Sequence, residues 1–294
     1  MSYIEEKKIK GNRYYYLSDN IRVSKDKWKK IRTYIGKDLS NLESAKNKLK
    51  QRVYVRPILS VNNTITLEKI KKDYLKKYNK NNVIDIFKKD YFEILSFIYN
   101  TNAIEGNIIT LEHTKDIINK SKTNFNYKRR DIKEINNMKK CVDYILKSDE
   151  DVSLDFIKKL HKIQMDGVHS EAGKIRTKQN IISNYLPPKP GDLEKELSFL
   201  INWYNKAKSK LHTFELAVLI HLKLVKIHPF MDGNGRLARL LMNYIFIKDN
   251  FPILNVLNSE KLEYYLILMQ VDSKRSNIPF IKYSYNKYIE KYYN

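Results

Sequence analysis

The chain has 294 residues, 42% of them hydrophobic, with 56 Lys and Arg against 33 Asp and Glu for a net charge of +23; this composition can bury a core, excludes wholesale disorder and admits one or two domains. Eight Gly and seven Pro exclude collagen-like and linker-like chains, and a single cysteine, Cys141, excludes a disulfide framework. No apolar run approaches the roughly 20 residues of a membrane span and residues 1–17 hold no signal-type apolar stretch, so a cytoplasmic location without a membrane partner is expected.

Residues 3–36 read as short antiparallel strands. Arg13–Leu17 precedes a polar turn at Ser18-Asp19-Asn20, followed by Ile21–Ser24 and the alternating run Trp28–Ile35. From Leu39 the apolar spacing changes from 2 to about 3.6. It predicts helices over 39–52, 65–78, 83–103, 110–121, 129–147, 154–165, 192–207, 213–226, 234–248, 259–271 and 277–291. Ser40, Thr110, Ser153 and Asp192 stand where N-caps belong. Within 173–190, Ile181–Tyr185 is extended in character and Pro187-Pro188 cannot sit inside a helix, so a β-like flap precedes the helix that starts near Asp192. The expected fold is mainly α: a small basic β-rich domain over 1–60, then a helical domain over 61–294.

The charge is uneven, +14 over residues 1–90 and +9 over residues 91–294. Nucleic acid or an acidic protein is therefore a candidate partner for residues 1–60. With 45 Lys against 11 Arg, a solvated lysine-rich surface is the simpler reading, because base and phosphate recognition favours the arginine fork.

The chemistry concentrates in Ile227-His228-Pro229-Phe230-Met231-Asp232-Gly233-Asn234-Gly235-Arg236-Leu237-Ala238-Arg239, flanked by apolar helices. Two glycines one residue apart let the backbone turn and aim N–H groups at one point. The loop ends at a helix N-terminus, which favours anions. Arg236 and Arg239, three apart, belong to one helical face, and with the amides they describe a polyphosphate site. Asp232 is a hard oxygen ligand suited to a phosphate-bound Mg²⁺, and His228 is the side chain suited to take a proton near neutrality. A helix–helix turn and a core histidine explain the parts separately, but turn chemistry does not require the whole set.

This segment resembles the signature H-x-F-x-[D/E]-G-N-G-R-x-x-R of the Fic family, mostly helical enzymes that move AMP from ATP onto a hydroxyl side chain of a target protein. The resemblance implies that His228 deprotonates a Tyr, Thr or Ser hydroxyl. It implies that Asp232 holds Mg²⁺ (or Mn²⁺), that Gly233, Asn234 and Gly235 form the anion hole, that Arg236 binds phosphate and that Arg239 holds the γ-phosphate. Leu237 and Ala238 fall within the same nucleotide-binding run. Gly173-Lys174-Ile175-Arg176-Thr177 resembles the family's G-x-x-R-T stretch. Ile182, Ser183, Asn184 and Tyr185 resemble the flap that borders the nucleotide, and a target protein is expected along residues 181–188 by strand addition. Tyr264, in Glu263-Tyr264-Tyr265, is expected near the adenine. Asp272 stands where some relatives carry a nucleotide-contacting Asn.

Thr101-Asn102-Ala103-Ile104-Glu105-Gly106 matches the family's inhibitory pattern [S/T]-x-x-x-E-[G/N] on a helix expected over about 83–106, so the chain resembles the self-inhibited class II members. There Glu105 would pair with Arg239, with Thr101 and Gly106 framing it. The same resemblance keeps removal of AMP from a modified protein, and transfer from another nucleotide donor, as alternatives. It also makes self-modification and a homodimer expectations. An alternative of another class is a nucleic-acid or partner-binding protein working through the basic N-terminal part.

Overall fold

A computed structural model describes residues 3–24, 27–51, 55, 57–89, 91–121, 126–182, 185–274 and 276–293. The chain divides into two compact units, Met1–Arg56 and Pro57–Asn294.

The first unit is an antiparallel sheet of β1 (Tyr3–Ile9), β2 (Asn12–Ser24) and β3 (Lys27–Gly36), in that order, with helix α1 (Leu42–Gln51) packed on it. Alternation along the strands sends Leu17, Ile31 and Ile35 inward against Ala45, with Tyr15 and Leu42 beside them. β1 and β2 meet at Lys10-Gly11, whose φ angles of 49° and 79° are those of a tight hairpin turn that matches the twist of its strands. The turn expected at Ser18-Asp19-Asn20 is absent, and these residues lie inside β2. The reason is local polar pairing. Ser18 is buried, and its hydroxyl donates to Glu5 Oε2 at 2.8 Å across the β1–β2 pair. Turn-type composition at mid-strand therefore does not break β2, because the pairing across the sheet continues through it.

The second unit comprises α2 (Val61–Lys77), α3 (Val83–Lys89), α4 (Phe92–Ile104), α5 (Leu111–Asn119), α6 (Arg129–Ile145), α7 (Leu154–Met165), α8 (Leu193–Ala207), α9 (Thr213–Ile227), α10 (Asn234–Lys248), α11 (Lys261–Lys274) and α12 (Ile278–Tyr292). At its centre α9 packs on α10, with α4, α7, α8 and α12 against this pair. Both central helices bury residues around their whole circumference, from Phe214 to Ile227 and from Asn234 to Ile247, as a helix surrounded by others must. The loop between them is therefore anchored at both ends in the core.

The helix expected continuously over 83–106 is two helices. α3 ends at Lys89, α4 starts at Phe92, and Glu105 is the C-cap of α4. Both halves bury apolar residues at helical spacing (Val83, Ile86 and Phe87, then Ile94, Leu95, Phe97 and Ile98), so periodicity alone runs through the break. Thr110 and Ser153 cap as expected, accepting from His113 N–H and Phe156 N–H. Asp192 makes no capping bond, and Ser40 turns its N–H and hydroxyl to Asp38. A capping box of Ser60 and Asn63 starts α2 instead. Among the described residues no helix is long and apolar enough to cross a membrane.

Candidate active site

The loop between α9 and α10 is held by polar contacts at nearly every residue. His228 ends α9 in the left-handed conformation (φ 48°, ψ 59°), its N–H donating to the Leu224 carbonyl at 2.9 Å. Gly233, also left-handed at φ 79°, starts α10. Asn234 closes the loop on itself: it accepts from Phe230 N–H at 3.0 Å and donates to the Phe230 carbonyl at 2.8 Å. The fully buried Phe230 ring lies flat on His161, with centroids 3.7 Å apart. His161 Nδ1 accepts from Gly173 N–H, which leaves Nε2 to donate to the Asp232 carbonyl, each at 2.9 Å. Burial pushes the His161 pKa down to about 4, so the neutral ring holds one tautomer. Gln164, one turn along α7, donates to the Gly233 carbonyl at 2.9 Å.

Arg176 braces the other side. Its guanidinium donates to the carbonyls of His228 (2.8 Å), Lys178 (2.9 Å) and Pro188 (2.6 Å), and its N–H donates to the Pro229 carbonyl at 2.9 Å. One buried arginine thus ties the base of the flap to the loop. In the flap, Ile182 and Tyr185 exchange backbone hydrogen bonds at 3.1 and 2.8 Å, and the Tyr185 hydroxyl donates to the Lys226 carbonyl at 3.0 Å. Ser183 and Asn184 lie outside the described residues.

Arg236 and Arg239 leave the first turn of α10 in different directions. Arg236 Nη1 is 3.0 Å from Glu134 of α6, and Nη2 is 3.5 Å from Asp232. Arg239 Nε donates to Thr101 Oγ1 and Nη2 to the Thr101 carbonyl, each at 2.9 Å, and Nη2 also meets Glu105 Oε1 at 2.7 Å. Both arginines are 2% exposed. Burial alone would lower the Arg239 pKa, but the charge and hydrogen bond of Glu105 together with Tyr264 outweigh it and the net direction is up. The Glu105 carboxylate also covers the helix start: a Cβ built on Gly235 would lie 2.4 Å from Oε1. The α4 helix stops there because Gly106 takes φ 97°.

Asp232 is the carboxylate at the loop's mouth. Gly233 N–H donates to Oδ1 at 2.6 Å and Arg130 Nη2 to Oδ2 at 2.8 Å. Burial would raise its pKa, yet Arg236, the Gly233 N–H and Arg130 together hold it below the usual carboxylate range. Burial drives the His228 pKa down to about 4, against the weaker upward pull of a backbone carbonyl and of Glu105. Its imidazole is therefore neutral at pH 7 and open to a proton.

Other expected site residues fall differently. Leu237 and Ala238 turn fully buried side chains into the core, so only their backbone faces the loop. Tyr264 is 1% exposed. It lies beneath the Arg239 guanidinium (5.8 Å to the ring) with its hydroxyl 2.9 Å from His221 Nε2, whereas Tyr265 is half-buried. Asp272 falls within α11, its side chain outside the described residues. Arg130, Glu134, His161 and Gln164 were not singled out from the sequence. The Arg130–Glu134 spacing of one helical turn, and polar His161 and Gln164 on the apolar stripe of α7, are the signals that mark them.

Residues 151–246 match the Fic/DOC family. The chain is 35% identical over 202 residues to protein adenylyltransferase Fic of Nematostella vectensis, covering 67% of this chain and 46% of that protein. It is 31% identical over 194 residues to protein adenylyltransferase fic-1 of Caenorhabditis elegans, covering 64% and 38%. The chain thus spans less than half the length of these curated relatives. Among solved structures, a Fic domain containing signaling protein from Bacteroides thetaiotaomicron superposes with a TM-score of 0.66 at 26% identity, over 78% of this chain and 94% of that one. Fic-1 from C. elegans superposes with a TM-score of 0.64 at 25% identity, over 86% and 73%.

Proposed function

The chain carries a domain of the Fic/DOC family, and from that premise we propose that it is a protein adenylyltransferase whose resting state is held off by Glu105. The observation that carries this reading is the 2.7 Å pair between Glu105 and Arg239 at the start of α10. It puts a carboxylate of the chain itself where an anion would otherwise be received.

His228 acts on the target hydroxyl. Neutral at pH 7 because it is buried, its imidazole takes the hydroxyl proton as the oxygen attacks the α-phosphorus of ATP; AMP joins the target and pyrophosphate leaves. The amides of Gly233, Asn234 and Gly235, at a helix N-terminus, receive phosphate oxygens. Arg236 and Arg239 add charge, and their buried positions make them stiff, because each is already fixed by partners on α6 or α4. The flap around Ile182 and Tyr185, anchored through Tyr185 and Arg176, is the element along which a target segment would lie by strand addition.

The donor set fits a divalent cation that arrives with the nucleotide. Among the described residues no group of three or more His, Cys, Asp or Glu could cage a metal. Asp232, 36% exposed at the side chain, is a lone carboxylate beside an anion cradle. Mg²⁺, or Mn²⁺ in its place, characteristically takes one such carboxylate and completes its shell with phosphate oxygens and water. When bound, the ion would neutralise charge on the phosphates.

The contact between Glu105 and Arg239 supports the brake. A γ-phosphate seeking Arg239 meets Glu105, and two anions cannot share one buried guanidinium without large repulsion. Incubation with ATP labelled at the α-phosphate tests the whole reading. Glu105→Gly should label itself or an added protein, and Glu105→Gly combined with His228→Ala should not. A Glu105→Gly protein as unreactive as wild type would remove the brake from the account.

A further inference from the structure

The outer face of the N-terminal sheet has no part in this chemistry. Alternation sends Leu17, Ile31 and Ile35 onto α1, so the opposite positions of each strand face outward. The register arranges them in rows: Lys7 beside Tyr14; Glu5 beside Tyr16 and Tyr34; Tyr3 beside Ser18 and Arg32; and Asn20 beside Lys30. Tyr34 is 50% and Tyr3 41% exposed. The Tyr34 ring lies 5.4 Å from Tyr16 and 6.3 Å from Tyr14, making an aromatic strip across β2 and β3.

Cations border the strip. Lys7 Nζ is 5.7 Å from the Tyr16 ring and Lys30 Nζ is 5.2 Å from the Tyr3 ring. Among the described residues the acid on this face, Glu5, is already engaged: Ser18 donates to it, Arg32 donates to both its oxygens, and Lys30 stands 2.9 Å away. The unit around this face has 11 Lys and five Arg against six acidic residues in 1–56. A cross-strand aromatic pair alone contributes about 0.2–1 kcal/mol to a sheet, which accounts for Tyr16 with Tyr34. It does not account for further rings on the same face with lysines over them.

We propose that this face, Tyr3, Lys7, Tyr14, Tyr16, Arg32 and Tyr34, is a binding platform for single-stranded nucleic acid. Unpaired bases expose flat faces that stack on aromatic rings, and their phosphates follow a cationic border. Duplex bases are stacked on one another and cannot use the rings. An acidic protein can use the cations but gains little from a strip of rings. The inference does not depend on the catalytic reading.

The test uses the full chain and fluorescently labelled 12-nucleotide single strands of RNA and of DNA, with the matching duplex alongside, by anisotropy at low salt. Single strands should bind more tightly than the duplex, and the RNA-to-DNA ratio reports which strand is preferred. Tyr16→Ala with Tyr34→Ala should weaken binding about ten-fold or more, since each stacked base contributes roughly 1–3 kcal/mol. Tyr34→Phe, which keeps the ring, should bind like wild type. Lys7→Ala should lower the slope of log affinity against log salt by about 0.7, the value for one phosphate contact on a single strand. Circular dichroism and melting of each variant separate lost binding from lost fold. Duplex preferred over single strands, equal competition by polyglutamate, affinity unchanged in a folded double-alanine variant, or no binding at low salt would each overturn the proposal.

Discussion

Replacing Glu105 by Gln should loosen the resting fold and tighten ATP binding in the same molecule. The substitution keeps the size of the side chain and removes its charge, so the pair with Arg239 at 2.7 Å loses its ionic part. A hydrogen bond to a charged group contributes about 1.5–3 kcal/mol. The Glu105 side chain is 29% exposed, and water screens such a pair, so the lower half of that range applies, about 1.5–2 kcal/mol. Arg239 keeps its two bonds to Thr101 and stays in place. For a unit the size of Pro57–Asn294 each kcal/mol moves the midpoint by about 2–4 °C, so Tm without nucleotide should fall by about 3–8 °C. The same energy no longer opposes a γ-phosphate at Arg239, so the Kd for ATP should fall by about 10–30-fold. Thermal melts and calorimetric titration with ATP read the two effects separately. An unchanged Tm together with a Kd within about two-fold of wild type would refute the reasoning.

Low pH should destabilise the second unit before it affects most soluble domains. Burial holds His161 and His228 near pKa 4 and His221 near 3, each below the ordinary 6.5. As pH falls below 6.5 the unfolded chain takes up protons that the folded chain refuses, so stability is full above about 6.5 and declines toward 4; an equilibrium-unfolding series against pH checks this slope. The activity of the Glu105→Gly protein should keep its acid limb at or below about pH 4, where His228 protonates, since the variant also removes the upward pull of Glu105; a pH–rate profile will report it. Gly233→Ala should lower Tm, because φ 79° is strained for any side chain and the new Cβ would lie 2.5 Å from Gln164 Nε2 and 2.8 Å from Met165 Sδ. Arg176→Lys in the Glu105→Gly background should lower kcat and raise KM for the target together, since one ammonium cannot replace a fork that reaches three carbonyls in the loop and flap.

The candidate site was legible in the sequence as far as it is contiguous. The proposed base His228, the carboxylate of Asp232, the proposed amide cradle and both arginines lie within residues 228–239, and the turn between two apolar helices follows from two glycines and helical periodicity. The partners were less legible because they come from other elements. Glu134 and Arg130 on α6 fix Arg236 and Asp232, and His161 and Gln164 on α7 hold loop carbonyls. No spacing within 228–239 specifies which helices pack beside it. Three-residue spacing put both arginines on one face, yet each turned toward a different carboxylate, Glu134 or Glu105. In the N-terminal unit, Ser18-Asp19-Asn20 has turn composition, but Glu5 across the sheet gives Ser18 a partner inside a strand. The break before Phe92 left no trace, since both flanking helices bury apolar residues with the same period.

The central claim, that Glu105 withholds Arg239 from the nucleotide, is tested most directly by intact-mass measurement of wild type and Glu105→Gly after equal incubation with ATP and Mg²⁺. The account predicts that Glu105→Gly gains the mass of one or more AMP groups while wild type stays largely unmodified. Equal modification of the two proteins, or none in either when a competent target protein is supplied, would contradict it.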